Sequence, residues 1–596
     1  MPLPLEDYAL IGDCQAAALV GRDGSIDWLC LPRFDSGACF AALLGGPANG
    51  RWRIAPTAPI VRSGRRYRPD SLVLETDLTT AEGEISIIDC MPLRTEHPDL
   101  VRLVVGRRGR VPVRSELVLR FDYGSIDPWL RCDEDGAHAI AGPDAVRVRT
   151  PASLRPVDGD LIGDLTVAEG DRIPFVLSWY SSERRDPPCC DAEAAIVETE
   201  RWWRDWADRC TYRGEWREAV LRSLITLKAL TYMPTGGIVA APTTSLPESL
   251  HGVRNWDYRY CWLRDATFTL YALQMAGYGE EVAAWRDWLR RAVAGRPGQP
   301  QIMYGLGGER RLVEMELPWL PGYEGSSPVR VGNLAHGQFQ LDVFGEIMDA
   351  FHYARRTDPK AHEESWQMQR VLLEHLESVW RDPDEGIWEV RGPRRHFVHS
   401  KMMAWVAFDR AVKANERLGF EGPVDHWRKL RDEIHEETCR CGFDSTLGSF
   451  VQSYGSQEVD ASLLMMPLVG FLPAHDPRVQ GTVAAIEQRL LRDGFVYRYT
   501  SKEEVDGLPP GEATFLMCTF WLADNYTLMN RYADARAIFE RMLAIRNDVG
   551  LLSEGYDRHL SRLLGNFPQA FSHVSLINTA HNLTRARGPA AQRQQS

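Results

Sequence analysis

Two glutamates stand in loop-like segments where a reacting carboxyl could be held out of water. Glu389 lies in Gly386-Ile-Trp-Glu-Val-Arg-Gly392, directly after Trp388, and Glu554 lies in Gly550-Leu-Leu-Ser-Glu-Gly-Tyr-Asp557, after an apolar pair. Hydrolysing a glycosidic bond takes two carboxyl groups, one protonating the leaving oxygen and one activating water or attacking the anomeric carbon. A desolvating aromatic wall raises a carboxyl's pKa and keeps it protonated, which suits Glu389 as the general acid. Glu554 is the matching candidate for the general base. Each has a local alternative: Glu389 could pair with Arg391, and Ser553-Glu-Gly is also ordinary turn or N-cap chemistry.

A third segment supplies the means to hold a sugar. Of the twelve residues Arg254-Asn-Trp-Asp-Tyr-Arg-Tyr-Cys-Trp-Leu-Arg-Asp265, seven are aromatic or cationic and two more are aspartates. Aromatic faces stack on the C–H faces of a sugar, while Arg and Asp forks take its hydroxyls. The structural alternative is an Arg/Asp network capping a buried helix. Within the segment Arg264 and Asp265 read as sugar ligands, Tyr258 as a partner of the attacking water, and Asp257 and Arg259 as scaffold.

Other chemistries lack their residues. Gly305-Leu-Gly-Gly308 has neither the Lys-Ser/Thr ending nor the preceding strand of a phosphate loop. His396 and His399 have no nearby carboxylate to complete a metal site, and no metal is expected. No Gly-x-Ser-x-Gly nucleophile motif occurs. His573 reads as a satisfied histidine at a helix start.

The elements that must position these residues fall into two groups. From about 51 to 183 the apolar pattern is short and alternating, with turn signals such as Glu134-Asp-Gly136 and Val157-Asp-Gly159, which predicts an antiparallel β-sandwich over roughly 1–190. After Pro187-Pro188 the period changes, and 191–214 reads as a helical linker. Helix-length patterns of period 3.6 then lie near 215–233, 262–277, 280–295, 336–356, 362–380, 398–419, 423–438, 458–472, 475–492, 511–530, 532–546 and 570–586. Twelve is the number an (α/α)6 barrel needs, giving a catalytic domain over 215–586 and a disordered tail at 587–596. In such a barrel the loops before the inner helices share one mouth. Arg254–Asp265, Pro318–Asn333, Glu385–Lys401, Val496–Glu512 and Leu551–His573 fall in those loops.

Composition sets the class. With 82 acidic and 69 basic residues the net charge is −13, which argues against a nucleic-acid or anionic-membrane partner. Nineteen tryptophans, several in Pro/Gly-rich loops, fit a carbohydrate pocket. Met1-Pro-Leu-Pro-Leu-Glu-Asp-Tyr lacks the features of a secretory signal and no apolar run reaches transmembrane length, so a cytoplasmic location is expected. The twelve cysteines lack paired zinc spacing and read as reduced packing thiols.

Taken in order, these motifs resemble glycoside hydrolase family 15, the exo-acting, inverting glucoamylase and trehalase family. Asp7–Leu44 is similar to the N-terminal region of its two-domain trehalase-like members. Arg254–Asp265, Pro328-Val-Arg-Val-Gly-Asn333, Gly386–Arg391 and Gly565-Asn-Phe-Pro-Gln-Ala-Phe-Ser-His573 resemble segments of its catalytic barrel. The resemblance implies Glu389 as general acid behind Trp388 and Glu554 as general base. It also implies Arg264 and Asp265, from Trp262-Leu-Arg-Asp265, as ligands of the terminal glucose, Tyr258 near the nucleophilic water, and Arg498, in Val496-Tyr-Arg-Tyr499, as a second sugar-binding arginine. Gly555 departs from the family, which tends to carry Glu or Gln after the base. The implied activity is release of β-glucose from a terminal α-glucosyl unit, with trehalose favoured and maltooligosaccharides or isomaltose as alternatives. The expected partner is that small-molecule α-glucoside, with no cofactor and with a homo-oligomer open. A disaccharide phosphorylase would need a phosphate cluster in place of Glu554, and a non-catalytic glycan binder would not need both carboxyls.

Overall fold

The computed structural model describes residues 2–355, 363–501, 506–508 and 513–584; the predicted tail at 587–596 and part of Val496–Glu512 lie outside them. The alternating N-terminal segments form fifteen antiparallel strands between Tyr8 and Ser181, arranged as two sheets that share one strand. That strand, Asp99–Val118, pairs over its first half with Gly83–Cys90 and Arg172–Ser181. Over its second half it pairs with Arg51–Pro56 and Asp160–Ala168. The change of sheet falls at 106–109, where Gly109 has φ 71° and a Cβ on Gly106 would meet the Ala168 carbonyl oxygen at 1.9 Å. Glycine alone permits that conformation and that approach. Trp28, Trp52, Ile54, Ile85, Ile87, Val104 and Phe175 are fully buried in the core this sandwich encloses, as period-two patterning requires.

Helix α1 (Ala192–Asp208) follows, capped by the Asp191 carboxylate, which accepts from the N–H groups of Glu193 and Ala194. Among the described residues, twelve further α-helical elements alternate between two rings. The inner ring comprises α3 (Leu263–Met275), α5 (Asp342–Ala354), α7 (Val398–Leu418), α9 (Met465–Leu468), α11 (Leu516–Leu528) and α13 (Ala570–Thr584). Each packs on the next and α13 closes on α3. The outer ring comprises α2 (Arg217–Ala229), α4 (Gly279–Ala292), α6 (Glu363–Val379), α8 (Val424–Cys441), α10 (Pro477–Arg489) and α12 (Tyr532–Ala544). This is the (α/α)6 barrel. The two rings differ in sequence for a simple reason. Outer α8 buries one stripe, Trp427, Leu430, Ile434 and Thr438, whereas inner α11 is buried from Leu516 to Thr527 and has no polar face.

Two predicted helices are corrected. The pattern over 458–472 yields a 3-10 turn, Ala461–Leu464, and a single α turn, α9. Pro467 cannot donate to the ladder, and Gly470, at φ 81°, ends it. Helix α5 begins at Asp342, not near 336, because Leu334–Gly337 is a separate 3-10 turn capped by the Asn333 side chain. Among the described residues no helix is long and apolar enough to cross a membrane.

The sandwich is joined to the barrel close to the segments of chemical interest. Trp28 Nε1 donates to the Pro242 carbonyl at 2.8 Å, Asn547 Nδ2 donates to the Tyr8 carbonyl at 2.8 Å, and the buried Arg65 guanidinium holds Asp548 at 2.6 Å.

Candidate active site

The N-terminal ends of the inner helices meet at one mouth. The segment before α3 and its first turn bring Trp256, Tyr258 and Arg264; the segment before α7 brings Trp388 and Glu389; that before α11 brings Arg498, Tyr499 and Phe515. Together they line one concave, mixed aromatic and charged cavity, the kind of lining a small polar ligand needs. Glu554, from the segment before α13, lies immediately behind Tyr258.

The two candidate catalysts are tied to opposite ends of one short stretch. The Tyr258 hydroxyl donates to Glu554 Oε1 at 2.5 Å. Trp262 Nε1 donates to Glu389 Oε1 at 2.7 Å. The two rings meet edge to face, 5.3 Å between centroids. Behind them the predicted scaffold pair is in place: Arg259 grips Asp257 at 2.6 and 2.8 Å, both fully buried.

Glu389 faces the pocket with 19% of its side chain exposed and has Arg264 Nη1 at 3.6 Å. Burial pushes its carboxyl up to about 7, against the opposing pull of Arg264 and the Trp262 N–H. Its backbone has φ 57°, a left-handed conformation costly for a non-glycine residue and common at functional sites. The alternative pairing with Arg391 does not form; Arg391 holds Glu314 at 2.7 Å. Glu554 is 2% exposed. Burial, then the nearby Glu248 carboxylate, raises its proton affinity, while the Tyr258 hydrogen bond, Arg498 and the Asn566 N–H pull it down. That N–H reaches Oε2 at 3.2 Å. Gly565 presses on the same carboxyl: with φ 75°, a Cβ there would sit 2.4 Å from Oε2.

The other predicted residues take distinct places. Arg264 lines the pocket, donating to Asp265 Oδ1 at 2.8 Å and to the Ile387 carbonyl at 2.7 Å. Asp265 stands behind it as its counter-ion rather than on the pocket surface. Trp388 lines the pocket, its indole N–H held by Asp460 at 2.9 Å. Arg498 also lines it and binds Glu248 at 2.5 Å. His573 is buried and satisfied, accepting from the Leu552 N–H at 3.2 Å and lying 3.0 Å from Ser223 Oγ. Gly555 has a steric reason: its Cβ would meet the Thr514 carbonyl oxygen at 2.9 Å, because this residue pairs with Phe515 in a small sheet.

Sequence reasoning missed Glu248, Asp460 and Asn566. Glu248 and Asp460 are lone polar residues whose partners Arg498 and Trp388 are remote in the chain, whereas Asn566 lies inside the quoted Gly565–His573 segment and acts through its backbone N–H, which no side-chain pattern announces. Glu248 had one weak signal, its position six residues ahead of Arg254.

Comparison with known proteins bears on family and fold. Residues 214–581 match the family described as glycosyl hydrolases family 15, and residues 1–171 match the region described as trehalase-like, N-terminal. The chain is 37% identical to a trehalase of Mycobacterium tuberculosis, over 98% of this chain and 90% of that one. It is 34% identical to a trehalase of Thermoplasma volcanium, over 98% and 94% respectively. Among solved structures, a bacterial glucoamylase complexed with acarbose shares the fold, with a TM-score of 0.73 at 12% identity, over 100% of this chain and 97% of that one. Matched over most of its length and carrying a carboxyl pair at the mouth of an (α/α)6 barrel, the chain belongs to glycosyl hydrolases family 15.

Proposed function

We propose that the protein is a trehalase, an inverting exo-acting hydrolase that releases β-glucose from α,α-trehalose. The observation that carries the mechanism is the pair of carboxyls, Glu554 buried and Glu389 facing the pocket, held by Tyr258 and Trp262 at one barrel mouth. The substrate reading rests on trehalase relatives that align over almost the whole chain. Glu389, protonated near neutral pH, delivers its proton to the glycosidic oxygen. Glu554, whose proton affinity burial and the Glu248 charge raise, takes a proton from water on the opposite face of the ring. Arg264, backed by Asp265, and Arg498 hold the hydroxyls of the terminal glucose, with Trp388 as apolar wall and the predicted sugar contact Trp262 set behind it, its N–H on Glu389. Inversion requires the carboxyls to stand roughly 6.5–9.5 Å apart with the water between them.

A second reading, a glucohydrolase acting on isomaltose or maltooligosaccharides, has one observation in its favour. The chain is 27% identical to an isomaltose glucohydrolase of Kribbella flavida over 45% of its length. Turnover of trehalose, maltose, isomaltose, kojibiose and soluble starch, with the released anomer read by NMR, separates the two. The expected result is β-glucose, fastest from trehalose; α-glucose as first product would overturn inversion. Glu389→Gln and Glu554→Gln should each lose about 10³-fold or more in kcat with an unchanged circular dichroism spectrum.

The division into a sandwich over 1–190, a linker over 191–214 and a catalytic barrel over 215–586 belongs to the same reading. So does a cytoplasmic location with a small-molecule α-glucoside as substrate and a homo-oligomer open. The net charge of −13 supports the exclusion of nucleic acid.

A further inference from the structure

Glu248 has no part in the two-carboxyl mechanism, yet it is in the pocket wall. It follows the short strand Thr244–Pro247, and its backbone is fixed on both sides. Its N–H donates to the Arg254 carbonyl at 3.1 Å and its carbonyl accepts from Ala513 at 2.9 Å. The side chain is 6% exposed. One oxygen accepts from Arg498 Nη2 at 2.5 Å and the other from Trp256 Nε1 at 3.2 Å. On its far side the Pro247 carbonyl accepts from the N–H of Gly565, the glycine pressed against Glu554. A carboxylate pinned in this way adds a negative charge to a site that already holds two carboxyls. For fold stability alone, apolar residues of like volume would serve as well as such a buried ion pair.

We propose that Glu248 is a positioning residue of the reaction: through one oxygen it aims Arg498 at the sugar, and its charge, set beside Glu554, makes that carboxylate the stronger base. This deepens the proposed hydrolysis and rests on it. The groups facing Glu554 are Tyr258 from the segment before α3, Glu248, Arg498 from the segment before α11 and the Asn566 N–H from the segment before α13, with Glu389 across the pocket beyond Tyr258. Arg498 hydrogen-bonds Glu248 at 2.5 Å and acts on Glu554 through space only. The charge of Glu248 is therefore only partly offset at Glu554, and burial with that charge acts in the same direction on the base's proton affinity.

Two substitutions separate the two effects. Glu248→Gln keeps the shape and an oxygen for Arg498 but removes the charge. It should move the acid limb of kcat/KM to lower pH by roughly half a unit or more, because a base that loses a neighbouring anion deprotonates more readily. Its KM should change by less than about three-fold, and its kcat on the plateau should fall, since a weaker base accepts the proton less well. Glu248→Ala removes both effects and should raise KM about ten-fold or more as Arg498 loses its anchor. An acid limb that stays put in Glu248→Gln, or a KM unmoved in Glu248→Ala with the fold intact by circular dichroism, overturns the assignment. The wild-type profile on the substrate panel is read first. If no α-glucoside is turned over, the hydrolase reading itself fails, whereas a normal wild-type profile with unresponsive variants defeats only the role of Glu248.

Discussion

Tyr258 and Trp262 each spend their one polar hydrogen on a different catalyst, and that gives single substitutions a defined outcome. In Tyr258→Phe the Glu554 carboxylate loses a 2.5 Å donor, a charge-assisted bond of ~1.5–3 kcal/mol. The expected loss in kcat is about ten- to hundred-fold, with KM for trehalose nearly unchanged; a loss confined to KM would place Tyr258 in binding instead. Glu389 sets the other limb of the pH profile. Its folded pKa is raised to about 7, and an acid works only while protonated, so activity falls as pH rises through that value. The basic limb of the pH–rate profile should lie near 7, and a limb beyond 9 would exclude Glu389 as the group that sets it. These residues were legible because aromatic, Arg and acid types crowd one stretch. Glu248 and Asp460 were not, since the pocket residues they hold, Arg498 and Trp388, are 250 and 72 positions away.

At the scale of elements, helix periodicity carried most of the barrel, and it failed where the chain itself interrupts the pattern. The run near 458–472 is apolar enough for an inner helix, but Pro467 and Gly470 leave it one α turn. Apolar patterning reports which face is buried and says nothing of a missing N–H donor. Burial in the inner ring also creates a liability that pattern conceals. Asp524 of α11 lies against Asn582 of α13, 2.8 Å from its amide, and burial lifts its pKa to about 7. Because the folded value lies above the unfolded one, the folded chain holds the extra proton in between. The contribution to stability is present below about pH 4 and is lost as pH rises through 7. Asp524→Asn, uncharged at every pH, should therefore lose less melting temperature than wild type between pH 4.5 and 7.5. Parallel Tm curves would show that Asp524 does not titrate in that window.

For the whole molecule, the sandwich is a structural partner of the active site. Arg259, which braces Asp257 beside Tyr258, also donates to the Ser36 carbonyl at 3.0 Å, and Asp548, six residues before Glu554, holds Arg65. Removing the Asp548 side chain leaves a fully buried guanidinium without its carboxylate. Because Asp548 is one-third exposed, the cost is set at roughly 1–3 kcal/mol, below that of a fully buried pair. Asp548→Ala should lower Tm by a few degrees and reduce kcat, while Asp548→Asn, which keeps an acceptor, should retain most of both. Equal losses in the two variants would trace the effect to packing rather than to the ion pair. Alternating strands announced a sandwich from sequence, but its contact with residues 254–265 depends on which loops meet in space.

Because Glu554 and Glu389 both hang from the five residues Tyr258–Trp262, acid and base cannot be displaced independently by anything that moves that stretch. A shift of the segment changes both proton transfers at once. Substitutions in its brace, Asp257 or Arg259, are therefore expected to lower the height of the pH–rate bell while leaving its width little altered. For redesign, the unit to transplant is the whole segment with its brace and its sandwich contact, since either glutamate moved alone would arrive without the residue that aims it.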